Sequence, residues 1–196
     1  MVIDREDLWI DRWMKLLKAA GGNGRVLEIG CANGRDTAWL EAQGFRVVAT
    51  DVSMDALRVC ASAAPGVGLI RHDLRHPLPF ADGTFGAVIA SLSLHYFPWA
   101  ETMAAMQEIR RVLRPPWGVM LCRLNSTRDV LHGADSGGRA IERHFYEVHD
   151  TYSSRKRFFD KDEVLEMFEG WKVLSCVERT IFRYEKPKVV WEVVAR

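Results

Sequence analysis

The stretch from Arg25 to Gly34, RVLEIGCANG, limits what this chain can fold into more than any other. Val26, Leu27 and Ile29 form a short apolar run that ends in a glycine-bearing turn, and Thr37, Ala38, Trp39 and Leu40 continue at helical spacing. An apolar run that breaks at glycine and resumes with the helical period is a buried strand, a tight turn and a helix start. Gly30 and Gly34 put no side chain between a ligand and the N–H groups of the turn and helix N-terminus. The order Glu28, Gly30, Gly34 reads E-x-G-x-x-x-G, which differs from the dinucleotide fingerprint G-x-G-x-x-G.

With 48% hydrophobic and 27% charged residues, the 196 residues suit one domain, 1–196, with a full core. A second domain would not fit beside a complete doubly wound sheet. The formal net charge of +1 provides no global attraction to nucleic acid or an anionic membrane. Cys31, Cys60, Cys122 and Cys176 are widely spaced without a C-x-x-C, and His72 and His76 flank a loop with no third ligand. The expectation is reduced thiols in a cytoplasmic protein, with no metal site. The first residues carry charges throughout, which does not fit a signal peptide or membrane span.

Along the chain, Leu8, Trp9, Trp13, Leu16 and Leu17 predict an amphipathic helix within residues 1–22, closed by Gly21 and Gly22. Trp9 and Trp13 either roof a cleft or pack on the sheet. A helix to Ala42 follows the glycine turn, and the β-branched run Phe45 to Thr50 ends in Asp51. Ser53 caps a helix to Ala63, with Met54, Leu57 and Val59 expected to face inward. Val67 to Arg71 is a third strand, followed by His72, Asp73 and Leu74. In LPFADGTFGAVIASLSLHYF (78–97), Asp82 and Gly83 make a turn and Phe85 to Ala90 a fourth strand. Trp99 to Leu113 is a helix, stopped by RPPWG before the strand Val119 to Leu124. Asn125 to Phe159 is irregular, with His132, His144, Tyr146, His149 and Tyr152, and with Arg155-Lys156-Arg157 expected as a solvated face. Asp160 caps a last helix. Lys172 to Thr180 and Lys188 to Val194, separated by a short link, pair as an antiparallel hairpin.

RVLEIGCANG, Asp51, the H-D-L at 72–74, the L-P-F-x-D-x-x-F-x-x-V pattern from Leu78 and RVLRPPWG together resemble the class I S-adenosylmethionine (SAM)-dependent methyltransferases. The pattern from Leu78 is similar to that of their small-molecule branch. Ala32 stands where the family commonly has its middle glycine, and Gly86 replaces a usual Asp. The resemblance implies an α/β fold: a doubly wound, mostly parallel seven-stranded sheet in three layers with a C-terminal antiparallel hairpin. It also implies SAM as cofactor and S-adenosylhomocysteine (SAH) as product. Gly30, Cys31, Ala32 and Gly34 would then underlie the methionine moiety, with Glu28 fixing the turn. Asp51 and Val52 would sit at the ribose, Asp73 and Leu74 at the adenine, and Ser91 would complete the amino-group contacts.

By position, the resemblance makes His95 a candidate general base and residues 125–159 a substrate-side segment. Trp9, Trp13, Tyr96, His132, His144 and Tyr146 are the substrate-side candidates. A small-molecule acceptor is expected, with neither nucleic acid nor a membrane as partner; the acceptor's identity and the oligomeric state are not set by the sequence. Three other readings stay open. An NAD(P)-linked oxidoreductase would show G-x-G-x-x-G and lack the terminal hairpin. A noncatalytic SAM-binding or partner-binding module would keep Glu28, Gly30 and Asp51 without turnover. An RNA- or protein-directed methyltransferase would gather charge beside the cleft, at which Arg155 to Arg157 hint.

Overall fold

A computed structural model describes residues 7, 9–21, 25–134, 139–148 and 154–196. Leu8, Gly22, His149 and Tyr152 lie outside the described residues. The parallel part of the structure is built from β1 (Arg25–Ile29), α2 (Arg35–Ala42), β2 (Arg46–Asp51), α3 (Met54–Ala63), β3 (Gly68–Arg71), β4 (Ala87–Ser91), α4 (Trp99–Val112) and β5 (Val119–Asn125). Helix α1 (Met14–Gly21) precedes it. Helix α5 (Lys161–Met167) and strands β9 (Val173–Ile181) and β10 (Lys188–Ala195) close the chain. The seven strands lie in the order β3-β2-β1-β4-β5-β10-β9, parallel except for β10, which runs antiparallel to both neighbours. This is the expected sheet and hairpin.

Alternation along the strands divides the core in two. Leu27, Ile29, Val88, Ala90, Met120 and Cys122 face α4 and α5, while Val26, Ala87, Ile89, Val119 and Leu121 face α1, α2 and α3. Helices on both faces of a mostly parallel sheet make a three-layer, doubly wound architecture. Strand order reverses between β1 and β4, so the crevice that such sheets use for ligands opens beyond the carboxyl ends of these two strands.

Two sequence expectations need correction. In α3 the buried positions are Leu57 and Cys60, whereas Met54 and Val59 are 45% and 53% exposed. Leu57 and Cys60 are one turn apart on the sheet side; Val59 falls on the opposite side, and Met54 is the first residue of the helix, before the first buried position. The segment before α5 also holds more order than its composition suggested, with a second, three-stranded sheet of β6 (Ala140–Glu142), β7 (Phe145–Glu147) and β8 (Arg155–Arg157). The basic run is therefore not a solvated face: Arg155 is exposed, but Lys156 and Arg157 are 7% and 1% exposed. Arg157 lies near the rings of Trp99 and Phe145, bonds to Glu142, and donates to the carbonyls of Arg143 and Phe97. A planar cation with five donors can be buried where acceptors and aromatic faces surround it.

Candidate functional site

The glycine turn is held from below and from the side. Gly30 and Cys31 both donate their N–H groups to the carbonyl of Thr50, at 2.8 and 3.0 Å. Gly30, Ala32 and Gly34 all have positive φ, of 74°, 45° and 74°. At Gly30 the requirement for glycine is double, since an added Cβ would meet the Ser93 Cβ at 2.6 Å. At Gly34 an added Cβ would meet Cys60 at 2.8 Å, because α2 and α3 approach closely there.

The tip of β2 is tied to this turn. One carboxylate oxygen of Asp51 accepts the N–H of Ala32 at 3.0 Å, and the other accepts that of Ser53 at 2.9 Å. Ser53 caps α3 by accepting from Ala56. Val52, 55% exposed, presents an apolar surface beside Asp51. Glu28 lies under the turn, 3% exposed, and accepts a hydrogen bond from the Thr37 hydroxyl. Burial, reinforced by the neighbouring charge of Asp36, pushes the Glu28 carboxyl up to about 8. Cys31 is also buried, and desolvation raises its thiol above the ordinary range, which makes it a small hydrophobe rather than a nucleophile.

Asp73 and Leu74 follow β3. Leu74 packs on the core, while the Asp73 carboxylate takes four donor contacts from Arg75, its own neighbour in sequence. This pairing holds Asp73 down to about 2. Arg75 is 59% exposed in its side chain, and an ion pair this open is screened by solvent, so a competing ligand group can displace it.

Beyond β4, Ser91 stands at the strand end, and Leu92 has a left-handed φ of 57° while donating to the Arg123 carbonyl. Strain of this kind in a bulky residue collects at functional sites. Ser93 backs Gly30. Among the described residues, Ser93 Oγ and His95 Nδ1 are buried polar atoms without a hydrogen-bond partner. His95 is 3% exposed, its ring lies 4.1 Å from that of Tyr96, and its carbonyl accepts the Arg157 N–H at 2.7 Å. Burial, with the charges of Lys188 and Lys156, lowers the imidazole well below its usual range, so the ring is neutral at physiological pH. Lys188 donates to buried Asp129, which also faces His132 at 2.9 Å.

The structure thus brings Glu28, Gly30, Cys31, Ala32, Gly34, Asp51, Val52 and Ser91 to the carboxyl ends of β1, β2 and β4. It does not gather the substrate-side candidates into one wall. Trp9 is 1% exposed, with its ring 4.5 Å from the Arg123 guanidinium and its Nε1 donating to Asp36; Trp13 packs on the same core. His144 joins the capping box of α5, bonding Glu163 at 2.8 Å, and Tyr146 lies 6.3 Å from Phe158. His144, Asp160 and Glu163 have ligand atoms within 4.8 Å of one another, but Arg143 and Arg157 already balance the two carboxylates. The sequence reading missed Ser93, Thr37, Asp129 and Lys188. Only Lys188, a cation opening an apolar strand, carried any signal.

Comparison with known proteins agrees with this geometry. A methyltransferase-domain family model matches residues 26–116, the span from β1 to the turn before β5 that contains the glycine turn, Asp51 and Asp73. Over these residues the chain is similar to methyltransferase domains. A demethylmenaquinone methyltransferase of Mycolicibacterium paratuberculosis is 33% identical over 122 residues, covering 61% of this chain and 51% of that protein. The chain spans about half the length of the curated relatives it matches. A SAM-dependent methyltransferase from Methanosarcina mazei superposes with a TM-score of 0.74 at 16% identity, over 87% of this chain and 91% of that one. The 1,6-didemethyltoxoflavin-N1-methyltransferase of Burkholderia thailandensis, solved with its substrate and SAH, gives 0.66 at 20% identity over 98% of this chain and 82% of that one. At these identities the structural likeness establishes the fold.

Proposed function

We propose that residues 1–196 form a single SAM-dependent methyltransferase domain acting on a small molecule. The observation that carries this reading is the junction of Asp51 with the glycine turn at the point where strand order reverses, inside the stretch matched by the methyltransferase-domain model. The residues present fit the cofactor. Gly30 packs its turn directly on Ser93 and takes the left-handed conformation without a side chain, Asp51 keeps a lone pair on each oxygen for the ribose hydroxyls, and Val52 offers an apolar face to the nucleoside. Leu74 lies beside the adenine position, and Asp73 reaches the adenine amino group when the exposed Arg75 pair opens. Gly30 to Gly34 and the carbonyl of Ser91 frame the methionine end, with Glu28 beneath the turn.

SAM supplies a methyl group already activated on a sulfonium sulfur. The protein's task is therefore alignment and exclusion of water, effects worth on the order of 7–11 kcal/mol in well-oriented systems. His95, buried and neutral, can accept a proton from a neutral acceptor through Nδ1. Residues 125–159 form the substrate-side segment, with the small sheet pinned to the His95 loop through Arg157. Among the described residues no helix is long and apolar enough to cross a membrane, and the near-neutral charge favours a cytoplasmic enzyme without nucleic-acid partners.

Calorimetric titration with SAM, SAH and NAD tests the reading. Saturable binding of the first two, no binding of NAD, and a loss of about tenfold or more in Asp51→Asn, which keeps only one acceptor oxygen, are expected. Binding of NAD alone, or of none of the three, would remove it.

A further inference from the structure

A cavity of about 340 Å³ lies on the α1–α3 side of the sheet, where β5, β10 and β9 approach the carboxyl edge. Its walls include Asp7, Arg12, Arg123, Arg179, Phe182 and Glu192. The volume falls within the range of small-molecule sites, about 300–1,000 Å³. What sets it apart from an ordinary surface hollow is a buried charge at its base. Arg123 is fully buried and Glu192 is 4% exposed, although both sit in otherwise apolar strands.

The hydrogen bonds show which charge the cavity lacks. Glu192 is saturated: one oxygen accepts Nε and Nη2 of Arg123, and the other accepts Arg12 at 2.5 Å and Arg179 at 3.0 Å. Arg123 in turn donates from Nη1 and Nη2 to Asp7. Three guanidiniums therefore face two carboxylates. Glu178, also in the lining, is matched by Arg128 at 2.7 Å. Among the described residues of the lining and their partners, one positive charge is left over. Arg12 and Arg179 each commit one nitrogen to Glu192, and with side chains 47% and 45% exposed they keep further N–H donors for a ligand. Two half-exposed guanidiniums, anchored by a shared buried carboxylate, form a preorganised fork for a carboxylate ligand. Ile181 and the 39% exposed Phe182 provide an apolar wall for the rest of the molecule.

Of the cavity's strands, β5 lies two strands and β9, which carries Arg179, four strands from β1 and the cofactor crevice, about 10 and 19 Å at the usual strand spacing. Trp9 joins the two sites, stacked on Arg123 and hydrogen-bonded to Asp36 in the first turn of α2, just after the glycine turn.

We propose that this cavity binds the carboxylate of a small, partly apolar organic acid through Arg12 and Arg179. This site does not rest on the methyltransferase reading.

The test uses the full chain with benzoate, 4-hydroxybenzoate, phenylacetate and hexanoate, each beside its primary amide, and with inorganic phosphate. Binding is followed by ligand-observed NMR with and without SAH, in wild type, Arg12→Gln, Arg179→Gln and the remote surface control Arg58→Gln. At least one acid should bind about tenfold better than its amide, and Arg12→Gln and Arg179→Gln should each weaken it about tenfold. Arg58→Gln should leave it unchanged, and SAH affinity should hold within about twofold in all variants. If no acid outbinds its amide, if phosphate binds better than every acid, or if Arg179→Gln has no effect, the carboxylate site is overturned. Acid binding in a protein that does not bind SAH leaves the cavity standing and removes the methyltransferase reading.

Discussion

Replacing Glu28 with Gln should flatten the pH dependence of stability without destroying the fold. Glu28 is buried beneath the glycine turn, accepts from Thr37 and faces the charge of Asp36, so its carboxyl rises from 4.5 to about 8 in the folded state. An acid whose folded pKa lies above its unfolded value binds its proton more tightly when folded. The protonated side chain fits the site at low pH, and the associated stability is lost as pH rises from about 4.5 through about 8. At about 1.4 kcal/mol per pKa unit, the loss between about pH 5 and pH 8 is on the order of 3 kcal/mol. Gln has the shape of the protonated acid, keeps an acceptor for Thr37 and does not ionise. Urea unfolding of both proteins at pH 5 and pH 8 measures the effect. Other titrating groups cancel in the difference between the two proteins. With a urea slope of about 2 kcal/mol per molar, the wild-type midpoint should fall by about 1.5 M more than the variant's across this range. Equal pH dependence in the two proteins, or a variant destabilised equally at both pH values, would refute the reasoning, because either result would mean that Glu28 is not held protonated by burial.

Two further outcomes follow from the same site. Gly30→Ala adds a left-handed alanine, about 1–2 kcal/mol, to a 2.6 Å clash with Ser93, and should abolish SAH binding; Gly44→Ala, at φ 83° with open space around it, should cost only about 1 kcal/mol by thermal unfolding and leave SAH binding intact. The ring nitrogen shifts of His95 should report a neutral imidazole at pH 6. Because its folded pKa is depressed, its contribution to stability is present above about 6.5 and is lost as pH falls below that value, a slope that His95→Gln should remove; a ring half-protonated near pH 6.5 would contradict its burial.

The parallel half of the fold was legible because strand, turn and helix there depend on local pattern. RVLEIG, FRVVAT and GAVIAS are apolar runs cut by glycine or an acid, and each lies within two residues of an observed strand. The hairpin was legible from the short link between two β-rich runs. The segment before α5 was not. Its strands are three residues each, too short for alternation to register, and they form because Arg157 finds acceptors and aromatic faces far away in sequence. In α3, the apolar residues predicted the helix, but only packing decided that Leu57 and Cys60 would be buried and Met54 and Val59 left exposed.

By itself the sequence determined the sheet, the glycine turn and the acid at the tip of β2, since backbone conformation and hydrophobic period act over a few residues and are written locally. Only the tertiary structure decided how the charges are spent. Arg123 and Glu192 are 69 positions apart, and Asp7 lies 116 positions from Arg123, yet together they form the base of one cavity; Asp73 was engaged by its own neighbour; and Glu28 became an acid that keeps its proton. Electrostatic partners and dielectric surroundings come from packing between distant segments, and no short stretch of sequence contains them.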